Sequence, residues 1–281
     1  MPLSYCRYLA QPLRMEVKMP DLFPDFVNII SKLSEAEMAE PHLINKLLLH
    51  DDPSNSRHNI RMVYAPFDHV NPRARIVIVG ITPGKQQATN SLRAAKRAVL
   101  AGASLNEAAA VAKVFASFSG PMRVNLVKLM DSVGLAKAIG IQTTASLWAA
   151  DASLVHFTSA LRYPVFKDEM NWSGSSPNAL SSPVMREWLE RYTGQELGTL
   201  PNAVFVPLGP SVSHMLDHLA TIGLINSRQI LAGLPHPAGS NMERIKYFLG
   251  EKPAHLLSSK TKAVVLDTAR EFIMDRVRAI S

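Results

Sequence analysis

Two kinds of hydrophobic patterning alternate along the chain. Residues 75–80 read Arg-Ile-Val-Ile-Val-Gly, and an unbroken β-branched run ending in glycine predicts a strand buried on both faces. Helical spacing follows over Ser91–Ala101, Leu105–Phe118 and Val124–Val133, punctuated by Gly102, Gly120 and Gly134. Further strands are expected at Leu154–Leu161, Ala203–Leu208 and Gln229–Gly233, with helices near Val184–Tyr192 and Val212–Leu219. Strand alternating with helix implies a parallel sheet covered on both faces, so the fold class expected is α/β: a three-layer α/β/α sandwich around a mostly parallel four-stranded sheet. Lys260–Ile280 reads as an amphipathic closing helix. Residues 1–70 read as an accessory helical layer, with helices at Phe23–Leu33 and His42–Leu49 and a polar loop at Asp51–Asn59. The whole is expected to be a single domain, 71–281 being its α/β core.

Composition narrows the function. Nearly half the residues are apolar, yet no stretch approaches eighteen uninterrupted apolar positions, which argues against a membrane span. Arg7 and Arg14 bracket only a short apolar run, unlike a secretory leader, and a cytoplasmic location is expected. Cys6 is the single cysteine, which excludes internal disulfides and thiolate-built zinc or iron–sulfur sites within the chain. A net charge of +7 favours anionic partners, nucleic acid among them, although no dense Lys/Arg run marks a contact face.

Ligands in open α/β sheets bind beyond the carboxyl ends of the strands. After the first strand comes Gly80-Ile81-Thr82-Pro83-Gly84-Lys85-Gln86-Gln87, a tight turn that lets backbone amides approach a ligand. It is not a triphosphate loop, because three residues separate its glycines and Gln86 stands where Ser or Thr would hold magnesium. After the last strand comes Gly233-Leu234-Pro235-His236-Pro237-Ala238-Gly239-Ser240-Asn241, in which two prolines brace His236. Ser240 and Glu243 have capping-box spacing, predicting a helix from Asn241. His214 and His218 stand four apart on a helix without the glutamate of the zinc-protease motif, so no metal is expected. The polar segment Lys167–Ser182 is long for a connection, and its Trp172, with nearby Arg162, is a candidate nucleic-acid contact.

Gly80–Gly84 and His236–Asn241 resemble, in order and position, the Gly-Ile-Asn-Pro-Gly and His-Pro-Ser motifs of the uracil-DNA glycosylase superfamily. Phe118-Ser119-Gly120, Phe157–Arg162 and Val206-Pro207-Leu208-Gly209 are similar to landmarks between them, and the likeness spans about residues 60 to 250. The resemblance implies an enzyme that flips a nucleotide out of DNA and hydrolyses the bond between uracil, or another damaged base, and sugar, with no cofactor. It implies that His236 and Thr82 are catalytic, and that Gly80, Ile81, Pro83, Gly84, Phe118 and Ser159 contact the base, Phe118 by stacking with Phe115 as its substitute. It places Lys85, Gln86, Pro237, Gly239, Ser240, Asn241 and Arg244 on DNA. The sequence departs from the family twice: Thr82 stands where relatives carry Asn or Asp, and cannot accept water's proton at neutral pH, while Ser159 replaces an asparagine that reads uracil. Gln86 or Gln87 could position the water instead. A non-catalytic relative that binds a base, nucleotide or damaged DNA is therefore the competing expectation.

Overall fold

The computed structural model describes residues 21–52, 58–116 and 121–280, and shows a mixed α/β protein. Its strands are β1 (Leu48–Asp51), β2 (Ile60–Val63), β3 (Ile76–Gly80), β4 (Val155–Ser159), β5 (Val165–Lys167), β6 (Met170–Asn171) and β7 (Val204–Pro207). The α-helices are α1 (Phe23–Lys32), α2 (Glu35–Ala39), α3 (Lys85–Leu100), α4 (Leu105–Ala116), α5 (Pro121–Ser132), α6 (Leu135–Ala138), α7 (Pro183–Trp188), α8 (Gln195–Gly198), α9 (Pro210–Thr221), α10 (Met242–Phe248) and α11 (Ala263–Arg278). No helix among the described residues is long and apolar enough to cross a membrane.

The predicted central strand is β3. It pairs in parallel with β4 and β7, so the order is β4-β3-β7, with Ile76 opposite both Val155 and Val204. Its side chains alternate. Ile76 and Ile78 join an apolar cluster with Leu126, Leu129 and Met130 of α5 and Ile273 and Val277 of α11. Val77 and Val79 join the other, with alanines and Leu92 of α3, Ala108 and Ala112 of α4, and Leu216 of α9. Each of those four β3 side chains is fully buried, which contributes roughly 1.5–3 kcal/mol apiece. Alanines on the facing sides of α3 and α4 bring the two helices close beneath the sheet.

Three expectations change. The fourth parallel strand is reduced to one bridge, Phe205 to Ile230, with the Leu231 N–H donating to Phe205 C=O at 2.8 Å. The chain turns away after this pairing because Gly233 adopts φ +131° and Pro235 cannot donate to a ladder. The first seventy residues are not purely helical: His42–Leu49 holds two short 3₁₀ turns and the start of β1, and β1 and β2 build an antiparallel sheet of order β1-β2-β5-β6. That pairing joins Ile60–Met62 to residues a hundred positions later, beyond the reach of local periodicity. Finally, α10 starts at Met242 with no side-chain cap, because Glu243 accepts hydrogen bonds from Lys252, Ser258 and Thr261 rather than from the backbone at Ser240.

Candidate functional site

The two singled-out loops leave the sheet at the same end. The Leu208 N–H donates to Val79 C=O at 2.9 Å, which sets Gly209 beside the start of the Gly80 turn. Gly209 adopts φ +96°, and a Cβ built on it would lie 3.4 Å from the Cβ of His236, so glycine here seats the histidine against the end of β7. The Ala238 N–H donates to His236 Nδ1 at 3.2 Å, leaving the proton of a neutral imidazole on Nε2. Burial holds the His236 pKa below its usual range and favours that neutral form.

His236 lines a cavity of about 600 Å³ between α9, the 233–241 loop and α11. Ser213, His214 and Asp217 enter it from one face of α9, and Arg244, Lys260 and Lys262 supply positive charge. Asn125 braces the loop by donating to Pro237 C=O at 2.9 Å. Gly239, Ser240 and Asn241 form a 3₁₀ turn, with Asn241 lining the cavity and accepting from Arg244.

The turn itself is tied inward. Thr82 Oγ1 donates to Tyr163 C=O at 3.1 Å and accepts from the Val165 N–H at 3.0 Å, joining the turn to β5. Ile81 packs so closely on Gly174, itself at φ +90°, that a Cβ there would meet it at 2.8 Å. Gly84 and Lys85 start α3, with the Gln87 side chain accepting from the Gly84 N–H and Asn171 accepting from that of Lys85. The Lys85 ammonium pairs with Glu40 and Gln86 bonds Asn90, so both side chains face their own surroundings. Pro83, Gln87 and Ser159 do share a cleft with Phe157, Lys113 and Arg162, but its volume of about 20 Å³ holds little more than one water. The structure thus places the turn and His236 at one rim, lining two different cavities. Phe118 lies outside the described residues, as does the side chain of Phe115.

Other candidates resolve differently. Trp172 is 2% exposed and donates to Pro177 C=O, and Arg162 is 1% exposed, so neither faces a ligand at the surface. His218 bonds Glu190 at 2.7 Å while His214 lines the His236 cavity, so the pair does not converge on one ion. Among the described residues no group of three or more His, Cys, Asp or Glu is arranged to hold a metal.

Beneath the turn lies a charge cluster that local patterning did not announce. Fully buried Glu196 of α8 accepts from Lys113 Nζ at 2.8 Å, His156 Nε2 at 2.6 Å and Thr158 Oγ1 at 3.0 Å, and stands 3.3 Å from Arg162 Nε. Burial pushes the Glu196 carboxyl up, but Lys113, Arg162 and His156 together hold it well below the usual carboxylate range. Burial brings Lys113 down to about 8 and His156 down to about 4, the latter aided by neighbouring Lys113. Tyr64 and Tyr163 hydroxyls both donate to Asp68 at 2.7 Å, and burial raises both phenols. Glu196 had no sequence signal, because its partners come from α4 and β4; Asp217 had one, the spacing Ser213, His214, Asp217 on a single helix face.

No family model and no solved structure matches the chain significantly. It is 31% identical over 252 residues to the uncharacterized protein YoxB of Bacillus subtilis (strain 168), an alignment covering 86% of this chain and 98% of that protein. The chain belongs to the YoxB family.

Proposed function

We propose that this member of the YoxB family is a glycosylase-like hydrolase of the uracil-DNA glycosylase kind, a three-layer α/β/α sandwich that binds DNA and cleaves the N-glycosidic bond of uracil or another damaged base. The observation that carries the reading is His236: Nδ1 is occupied by the Ala238 N–H, so a neutral Nε2–H donor sits on a cavity of about 600 Å³ at the carboxyl rim of a parallel sheet. That volume lies within the range of small-ligand pockets.

Cleavage of the bond leaves a cation-like sugar and an anionic base, and a donor fixed beside the base oxygen stabilises charge only as it develops. His236 is the donor. The Thr82 hydroxyl is engaged in joining the turn to β5; among the described residues the carboxylate lining the His236 cavity is Asp217, to which we assign orientation of the water and acceptance of its proton. Arg244, Lys260 and Lys262 meet the phosphates and fix register.

One observation favours a second reading, binding without hydrolysis: the cleft at the turn has room for a water rather than a pyrimidine. Single-turnover incubation with oligonucleotides carrying uracil, hypoxanthine or xanthine separates the two. Base release that falls about 10²–10³-fold in His236→Ala supports the hydrolase. Salt-dependent binding with no release selects the second reading, and the loss of both binding and release eliminates each.

A further inference from the structure

A second cavity, also of about 600 Å³, opens beside β4, the outer strand of the parallel sheet, and shares no lining residue with the His236 cavity. It lies where Asn71 and Arg73 precede β3 and Ser153 precedes β4, at the amino end of the strands. Since β3 is five residues long, roughly 13 Å of strand separates it from the opposite rim.

Its lining has a consistent chemistry. Arg73, Arg123, Lys113, His69 and His156 face it, and no Asp or Glu stands among its described lining residues. Glu196 pairs with Lys113 behind the wall, while Arg73 and Arg123 line the cavity itself. Arg73 makes no ion pair among the described residues, and the Arg123 guanidinium lies 5.3 Å over the ring of Trp148. Trp148 is only partly buried and stacks obliquely on Phe157, giving the cavity an aromatic wall. Its indole N–H is buried, without an acceptor among the described residues, so the ring meets the cavity through its carbon atoms.

A ligand that suits this lining is planar, carries acceptors and bears negative charge. We propose that the cavity beside β4 binds a nucleotide, its base against Trp148 and its phosphate between Arg73 and Arg123. The base offers a π-face to the indole, while the phosphate accepts charged hydrogen bonds from guanidinium groups. The inference does not rest on glycosidic chemistry at His236, because the two cavities lie at opposite ends of the sheet.

Tryptophan fluorescence reads the site directly. Trp172 and Trp188 are each 2% exposed, so quenching by a soluble ligand reports chiefly on Trp148. The full chain is titrated with nucleoside 5′-monophosphates, the matching nucleosides, inorganic phosphate and a five-nucleotide single strand. Expected are saturable quenching by a monophosphate, affinity at least tenfold weaker for its nucleoside and for inorganic phosphate, and a fivefold or greater loss in Arg73→Gln and in Arg123→Gln. Each variant is checked for unchanged circular dichroism and urea midpoint, and the more conservative Arg123→Lys stands in should Arg123→Gln not fold. His236→Ala should bind as the wild type does, which keeps this result separate from that of the hydrolase reading. Binding of the strand with the same arginine dependence assigns the nucleotide to a polynucleotide, and binding of the monophosphate alone assigns a free ligand. The proposal is overturned by the absence of saturable quenching with every nucleotide probe, by wild-type affinity in Arg73→Gln/Arg123→Gln, by inorganic phosphate binding as tightly as the monophosphate, or by loss of quenching in His236→Ala.

Discussion

Replacing Glu196 with glutamine removes one negative charge from a site that is fully buried and keeps the side-chain shape. Lys113 at 2.8 Å and Arg162 at 3.3 Å then lose their shared counter-ion, and the glutamine N–H₂ must face groups that are themselves donors. Breaking a buried ion pair by removing one partner costs about 3–5 kcal/mol. The two cations respond differently. Lys113, already brought down to about 8 with Glu196 present, falls further without it and can shed its proton at neutral pH, which caps its share of the cost. Arg162 cannot do so. We therefore expect Glu196→Gln to lower unfolding free energy by about 3–5 kcal/mol at pH 7 and the melting temperature by roughly 6–20 °C, at 2–4 °C per kcal/mol for a chain of this size class. Urea unfolding followed by fluorescence and circular dichroism measures the first quantity, and calorimetry the second. Adding Lys113→Met should recover at least about 1 kcal/mol, because one stranded cation disappears with its counter-ion. A loss below about 1 kcal/mol for Glu196→Gln, or strict additivity of the two substitutions, would refute the view that these charges hold one another in place.

Four further outcomes are expected. Stability should fall as pH drops from about 6.5 towards 4, because the unfolded chain protonates His156 near its ordinary value while the folded protein does not until about 4; Glu196, held below 4.5, extends the loss to lower pH. His156→Gln should flatten the upper part of that limb in urea midpoints measured against pH. Thr82→Val, which removes a donor to Tyr163 C=O and an acceptor for the Val165 N–H, should cost about 1–3 kcal/mol of stability while changing any single-turnover rate less than about threefold; a much larger rate loss would restore a catalytic role to Thr82. Gly233→Ala should cost roughly 1–3 kcal/mol through its φ of +131°, and more through its clash with Ala269 C=O at 2.7 Å, displacing the His236 loop from α11 and weakening ligand binding there before the fold is lost. Neutralising Arg244, Lys260 or Lys262 should each lower the slope of log affinity for DNA against log salt by about 1, measured by anisotropy, with little dependence on base sequence.

Much of the frame was legible in the residues alone. A run of four β-branched residues ending in glycine suits a strand buried on both faces, as strands of parallel sheets are, and Ile76–Gly80 is the central strand of the parallel sheet. The helical segments after it appear as α3, α4 and α5, and the tail as α11, because helical periodicity is a local property written within a few turns. The positions of the Gly80 turn and His236 at one rim follow from the same rule, since both come just after strand positions. What tertiary structure decided is everything that depends on partners far apart in the chain. The β2–β5 pairing, the tie from Thr82 to β5, the entry of Asp217 and Lys260 into the cavity of His236, and the meeting of Lys113, His156, Arg162 and Glu196 in one dry cluster have no local periodicity to betray them. Whether a side chain faces a ligand, a backbone carbonyl or a buried counter-ion is set by which surfaces close upon it. That is why Thr82 and Arg162, conspicuous in the sequence, turn inward, and Glu196, inconspicuous there, lies at the electrostatic centre.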